Sequence, residues 1–107
     1  MKMNEITVND LQQMLDKENK INLIDVRENW EIKISKIDFA KHIPMQEIDK
    51  NLRFLNPNTK IIVMCKSGGR SANVCQYLLK QNYKYVYNLK GGITAWALEI
   101  DPSISLY

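Results

Sequence analysis

A cysteine followed by two glycines and two cations is the part of the sequence best suited to chemistry. The segment CKSGGRS, from Cys65 to Ser71, lies between the apolar run Ile61 to Met64 and a stretch with helical periodicity. Such an apolar, β-branched run predicts a buried strand. A strand, a glycine loop and a helix N-terminus bind anions well, because backbone N–H groups converge there and the helix dipole adds positive charge. We therefore expect an anion-binding loop beside Cys65.

The position of Cys65 predicts a reactive thiol. The thiolate is the reactive form, and a helix N-terminus with nearby cations lowers a thiol pKa from about 8.5 to roughly 3.5–7.5. Lys66 and Arg70 supply the cations, and Gly68 and Gly69 permit positive φ. We expect the sulfur to lie open to solvent at the base of a basic bowl of main-chain donors. An ordinary turn with a buried cysteine needs neither the two glycines nor the two cations.

The loop resembles the active-site loop of the rhodanese family, Cys-x-x-Gly-x-Arg followed by Ser or Thr. Three more segments resemble that family and occur in its order: LIDVRE at Leu23 to Glu28, HIP at His42 to Pro44, and GGITAW at Gly91 to Trp96. The likeness extends from about Ile6 to Ile100. Within it, the CKSGGRS loop, the YNLKGGITAW stretch and the residues Glu99 to Pro102 look most like the rhodanese domains that are fused to E1-like adenylyltransferases.

This resemblance implies sulfur transfer from a small anionic donor, such as thiosulfate or a persulfide, through a persulfide on Cys65. It implies substrate binding by the rest of the loop: Lys66, Ser67, Gly68, Gly69 and Arg70. Asp25, Arg27 and Ser71 take supporting places in this interpretation. The acceptor would be a thiol, cyanide or a ubiquitin-like sulfur-carrier protein. No cofactor is implied.

Two other functions are alternatives to sulfur transfer. Cysteine phosphatases and arsenate reductases use a loop of the form Cys-x-x-x-x-x-Arg, whereas four residues separate Cys65 from Arg70 here. Phosphate has three equatorial oxygens and needs a wider ring of donors, so this loop should be too small. A non-catalytic binding or regulatory module is the second alternative, although many such rhodanese folds lack the cysteine that this chain retains.

Predicted strands and helices alternate along the chain, which indicates an α/β fold that would position the loop. We expect strands near residues 3–8, 21–26, 39–43, 60–64 and 85–89. Helical periodicity predicts helices around 10–17, 71–80 and 93–100, with weaker helical segments around 30–37 and 45–55. The expected architecture is a rhodanese-like, mostly parallel sheet of about five strands with helices on both faces.

Composition limits the remaining possibilities. The 107 residues are expected to form a single rhodanese domain, 1–107, and most simply a monomer. The net charge of +3 is mild and the lysines are scattered, so no nucleic-acid partner is predicted. We find no signal peptide and no apolar run of membrane-spanning length, and expect a cytoplasmic protein without a membrane partner.

Two further residues have types that occur in reactive sites. His42, the single histidine, cannot form a metal site alone, and we expect no metal and a structural role for its imidazole. Cys75 shares a predicted helix face with Leu78 and Leu79, which favours an inert core thiol over a resolving cysteine.

Overall fold

A sheet of five parallel strands forms the centre of the computed structural model, which describes residues 4–17 and 21–107. The strands are β1 (Asn4–Ile6), β2 (Ile21–Asp25), β3 (Lys41–His42), β4 (Lys60–Met64) and β5 (Val86–Leu89), in the spatial order β1-β5-β4-β2-β3. The α-helices are α1 (Val8–Lys17), α2 (Asn29–Ile34), α3 (Gly69–Lys80) and α4 (Gly92–Glu99). Two 3₁₀ helices span Met45–Glu47 and Asp49–Phe54.

The central strand β4 has a hydrophobic cluster on each face. Ile61 and Val63 point to the cluster that contains Val74 and Leu78 of α3. Ile62 and Met64 point to the opposite cluster, which contains residues of α1 and α4. Side chains alternate along a strand, so an unbroken apolar run can be buried on both faces at once. The predicted α/β architecture, with a parallel sheet and helices on both faces, is confirmed.

Several predicted boundaries were wrong. The third strand is only Lys41–His42, because a turn closed by the Ala40 N–H on the Ile37 carbonyl (3.0 Å) precedes it. The segment 45–55, which was predicted to be weakly helical, forms the two 3₁₀ helices. Helix α3 begins at Gly69, two residues before the expected start, so Arg70 belongs to its first turn. The predicted start of the first strand, Met3, lies outside the described residues.

The sheet brings three connections together at its carboxyl edge. Strand β2 pairs with β4 through Asp25 and Met64, and β4 pairs with β5 on its other side. Sites in open parallel sheets lie at this edge, since the loops that follow neighbouring strands meet there. The loop that starts at Cys65 is therefore flanked by the segments that follow β2 and β5. Within residues 4–17 and 21–107, no helix has both the length and the apolar character needed to cross a bilayer.

Candidate active site

The sulfur of Cys65 lies at the start of α3 and is surrounded by hydrogen-bond donors. The Gly68 N–H donates to Cys65 Sγ at 3.1 Å, and Ser71 Oγ lies 3.3 Å from the same sulfur. Gly68 occupies the N-cap position of α3 with φ +118°, a conformation that side chains rarely adopt. The short loop can therefore turn its N–H back toward the cysteine.

Two opposing effects determine the pKa of the Cys65 thiol. Burial raises this pKa, because charge is disfavoured away from water. Hydrogen bonds from the Ser71 hydroxyl and from the backbone N–H groups of Ser71, Gly68 and Ser67 lower it, and they outweigh burial. As a result the pKa of the Cys65 thiol lies below the ordinary value for cysteine, so the site favours the thiolate, which is the nucleophilic form.

The expected exposure of the thiol was wrong. The loop amides converge on the sulfur, but Cys65 is only 1% exposed. Its hydroxyl partner, Ser71, is 0% exposed and lies on the inner side of α3. The sulfur therefore lies between the Gly68 amide of the loop and the buried Ser71 hydroxyl of α3, and it is closed off from solvent.

The segment Gly91 to Thr94, at the start of α4, packs against the backbone of the loop. The Ile93 N–H donates to the Cys65 carbonyl at 3.0 Å, and the Thr94 N–H donates to the Lys66 carbonyl at 3.1 Å. Gly92 packs so closely that a Cβ at this position would lie 2.3 Å from the Cys65 oxygen. The carbonyls of Cys65 and Lys66 are thus directed at α4, while the Gly68 N–H faces the sulfur.

Arg70 is bound to the carboxylate of Glu31, which was not among the residues predicted for the site. Its Nη1 lies 2.5 Å from Glu31 Oε1, and its Nη2 lies 2.8 Å from Oε2. Glu31 is 2% exposed, and the hydrogen bond from Arg70 lowers the pKa of this carboxyl to about 2. One local pattern in the sequence involves Glu31: it follows Glu28 by three residues, and the two side chains form a capping box at the start of α2. Arg70 therefore ties α3 to α2.

Acid should weaken this pairing in a defined range. The pKa of Glu31 is lowered in the folded protein, so its contribution to stability is fully present above the unfolded value of 4.5 and is lost as pH falls toward about 2. The upper limit is about 3 kcal/mol, and less is expected after screening, since the Arg70 side chain is 35% exposed. Denaturant unfolding of wild type and Glu31→Gln between these pH values measures it. Parallel pH dependence in the two proteins would contradict the assignment.

Asp25 and Arg27 form a buried ion pair next to the loop. Their side chains are 1% and 0% exposed, and Arg27 Nη2 lies 2.8 Å from Asp25 Oδ2. The same Nη2 donates to the Ser35 carbonyl at 2.9 Å. His42 Nε2 lies 2.6 Å from the Arg27 carbonyl and must donate to it, because a carbonyl only accepts. Asp25 and His42 thus both contact Arg27, and the structural places assigned to them from the sequence stay predictions.

Tyr107 joins these two ion pairs. Arg27 Nη1 donates to its hydroxyl at 2.9 Å, and that hydroxyl donates to Glu31 Oε2 at 2.7 Å. The Lys66 ammonium lies 4.6 Å from the centre of the Tyr107 ring, within the range of a cation–π contact. No local pattern in the sequence indicates this role of Tyr107. Tyr107 forms part of the wall around the loop.

Tyr107→Phe is expected to lower the free energy of unfolding by about 1–3 kcal/mol. The change leaves Arg27, which is 0% exposed, without one of its acceptors. Urea unfolding measures the effect, and Tyr85→Phe is a matched control because Tyr85 is 45% exposed. Equal stability of the two variants would show that the Tyr107 hydroxyl has no structural role.

Cys75 differs from Cys65 in its surroundings. It is 0% exposed within the cluster that contains Val74 and Leu78, and burial raises the pKa of its thiol to about 12. Both cysteines are free thiols. These properties agree with the expected inert core position of Cys75.

Comparison with known proteins identifies the family. The sequence profile of the Rhodanese-like domain matches residues 7–99. YtwF of Bacillus subtilis, named as a candidate sulfurtransferase, is 37% identical over 102 residues, which cover 95% of this chain and 98% of YtwF. A protein of Allochromatium vinosum named sulfurtransferase is 37% identical over 95 residues, covering 89% of each chain.

A longer relative and a solved structure agree with this assignment. MoeZ of Mycobacterium tuberculosis, named as a probable adenylyltransferase/sulfurtransferase, is 36% identical over 104 residues, which cover 95% of this chain and only 26% of MoeZ. The crystal structure of a rhodanese-like domain protein from Staphylococcus aureus is 32% identical, with a TM-score of 0.84 and coverage of 98% of this chain and 99% of that one. The chain belongs to the rhodanese-like domain family.

Proposed function

We propose that the protein is a sulfurtransferase that moves a sulfane sulfur from thiosulfate or a persulfide to a thiophilic acceptor through a persulfide on Cys65. The observation that carries the proposal is the Cys65 sulfur at the start of α3, with the Gly68 N–H at 3.1 Å and Ser71 Oγ at 3.3 Å. Family membership and relatives named as sulfurtransferases support the same reaction class. In this proposal residues 1–107 act as one domain.

The reaction proceeds in two displacements. In the first, the Cys65 thiolate attacks the outer sulfur of thiosulfate, a new S–S bond forms, and sulfite leaves with the electron pair of the broken S–S bond. In the second, cyanide or a thiolate attacks the terminal sulfur, which leaves as thiocyanate or a new persulfide and regenerates the Cys65 thiolate. No external oxidant or reductant is needed. Such a covalent intermediate predicts ping-pong kinetics.

The loop would stabilise the charge in both displacements. Backbone N–H groups of Ser67, Gly68 and Ser71 act on the thiolate, and preorganised donors of this kind stabilise developing charge without reorganisation. Lys66 would attract the anionic donor from its position over the Tyr107 ring. Arg70 would hold the loop in shape through Glu31, since both of its terminal nitrogens bind that carboxylate.

A ubiquitin-like sulfur-carrier protein is the macromolecular acceptor we propose. The support is similarity to MoeZ, whose name combines adenylyltransferase with sulfurtransferase. This chain spans only 26% of MoeZ, so an adenylyltransferase would have to be a separate protein or segment. Incubating persulfidated protein with a carrier that ends in Gly-Gly tests the transfer, and a carrier that gains no sulfur would remove this acceptor.

The pairing of Arg70 with Glu31 argues against the phosphatase alternative. In a cysteine phosphatase the loop arginine must be available to bind phosphate. Here the Arg70 guanidinium is bound by the Glu31 carboxylate at 2.5 and 2.8 Å. We expect no hydrolysis of para-nitrophenyl phosphate above the uncatalysed rate. The non-catalytic alternative is tested by the loading experiment below.

Loading with sulfur provides the direct test. The purified protein is incubated with thiosulfate, or separately with glutathione persulfide, and its intact mass is measured. We expect a gain equal to one sulfur atom, reversed by cyanide, and located on Cys65 and not on Cys75 by peptide mass spectrometry. An unchanged mass with both donors would overturn the proposal and favour the non-catalytic module.

A further inference from the structure

Asn88, on β5, has a buried side chain that reaches the loop from the neighbouring strand. The residue is 1% exposed, and its Oδ1 accepts the Ser71 hydroxyl at 2.5 Å. Its Nδ2 lies 3.1 Å from the Gly68 carbonyl and 3.5 Å from Glu5 Oε2. Ser71 Oγ is in turn 3.3 Å from Cys65 Sγ. Asn88 is therefore separated from the reactive sulfur by one hydroxyl group.

The neighbours of the Asn88 amide determine its orientation. The Gly68 carbonyl and the Glu5 carboxylate can only accept hydrogen bonds, so the NH₂ group must face them. The amide oxygen then faces Ser71. Because an amide oxygen cannot donate, the short contact of 2.5 Å requires the hydrogen of the Ser71 hydroxyl.

That hydroxyl has a single hydrogen and two neighbours that can accept it. When Cys65 is a neutral thiol, its S–H can donate to Ser71 Oγ while Ser71 donates to Asn88, and all three groups are satisfied. When Cys65 is a thiolate, Ser71 can donate to the sulfur only by leaving Asn88 Oδ1 beside an oxygen with no hydrogen between them. A buried acceptor without a donor is unfavourable.

We propose that Asn88 is a positioning residue that competes with Cys65 for the Ser71 hydroxyl hydrogen. The competition leaves the thiolate less fully stabilised and hence more nucleophilic, because thiolate nucleophilicity falls as the charge becomes better stabilised. Once the persulfide forms, the charge moves to the terminal sulfur and the hydrogen returns to Asn88. The inference rests on the proposed function, since only a Cys65 that attacks as a thiolate benefits from it.

The other titratable groups near the sulfur are present in every variant used to test the competition. Arg70 and Cys75 on α3 interact electrostatically with Cys65, and Glu5 on β1 acts on Cys75 and contacts Asn88. Arg70 is paired with Glu31, and the pKa of Cys75, about 12, keeps that thiol neutral below pH 10. The titration of Cys65 in this pH range therefore reports on its own surroundings.

A double-mutant cycle isolates the competition. The Cys65 thiol is titrated by its absorbance near 240 nm in wild type, Ser71→Ala, Asn88→Ala and the double variant. Asn88→Ala also removes the bond to Gly68, which can disturb the loop in either background. In the Ser71→Ala protein there is no hydroxyl to compete for, so the shift in the Cys65 pKa caused by Asn88→Ala there measures that disturbance alone. With Ser71 present, we expect the shift to be more negative by about one pKa unit. Equal shifts in the two backgrounds would overturn the proposal.

A measurement on the wild type keeps the proposal testable if a variant fails to fold. The ¹³C signal of the Asn88 side-chain carbonyl is followed while Cys65 is titrated, with exposed Asn58 as the reference. We expect the Asn88 signal to move with the midpoint of the Cys65 Cβ signal, and an unmoved Asn88 signal would refute the competition. Neither experiment uses a sulfur donor, so the two failures are distinguishable: equal shifts or an unmoved Asn88 signal overturn the competition, whereas a failed loading experiment overturns the proposed function.

Discussion

Cys65→Ser is expected to reduce sulfur transfer from thiosulfate to cyanide to the uncatalysed rate, a loss on the order of 10⁴-fold or more. The hydroxyl of serine is not ionised at neutral pH and forms no stable persulfide analogue, so both displacements lose their nucleophile. The substitution is nearly isosteric, and the Gly68 N–H and Ser71 can bond the new oxygen. The folded structure should therefore be retained.

Cys75→Ala provides the matched control for this variant. Cys75 is equally buried, but its pKa of about 12 leaves almost no thiolate at neutral pH. We expect its loss to create a small cavity, costing about 1 kcal/mol of stability, with turnover within about twofold of wild type. Activity is measured as thiocyanate formation well below the unfolding temperature. Equal losses in the two variants, or clear turnover by Cys65→Ser, would show that Cys65 is not the sulfur carrier.

Gly92→Ala should damage both the stability of the protein and the sulfur site. A Cβ at this position would lie 2.3 Å from the Cys65 carbonyl oxygen and 2.6 Å from the Lys66 oxygen, and φ is +55°. Both contacts are with backbone, so either the loop or the start of α4 has to move. We expect at least about 2 kcal/mol of lost stability and about 100-fold slower persulfide formation, since small displacements of reacting groups have large effects.

Gly69→Ala is the matched control for stability. Its Cβ would meet nothing within 4 Å, and Gly69 lies in the first turn of α3. Alanine is favoured over glycine in helices by about 0.5–1 kcal/mol, so this variant should be as stable as wild type or slightly more so. Thermal unfolding compares the two. If Gly92→Ala were as stable as Gly69→Ala, the close packing of α4 under the loop would be refuted.

Local sequence patterns determined the architecture and the position of Cys65. The apolar run at β4 could be buried on both faces, and the glycine loop followed by helical periodicity placed Cys65 at a helix N-terminus. These features depend on neighbours within a few positions in the sequence, which is why they could be predicted. The strand ends do not follow from local pattern in this way: β3 is only Lys41–His42, because a hydrogen-bonded turn precedes it.

The sequence alone determined that this chain has a parallel α/β fold and a cysteine in a glycine loop at a helix N-terminus, because both follow from the order and periodicity of residue types. Only the tertiary structure decided what surrounds that cysteine. Glu31 binds Arg70 across 39 positions, Tyr107 reaches Glu31 across 76, and Asn88 reaches Ser71 across 17. Glu, Tyr and Asn are common on surfaces, so nothing in their local pattern marks them as buried partners. Their roles arise when the sheet and the C-terminal residues bring distant segments into contact, and the same packing covers the Cys65 sulfur that the sequence had predicted to be exposed.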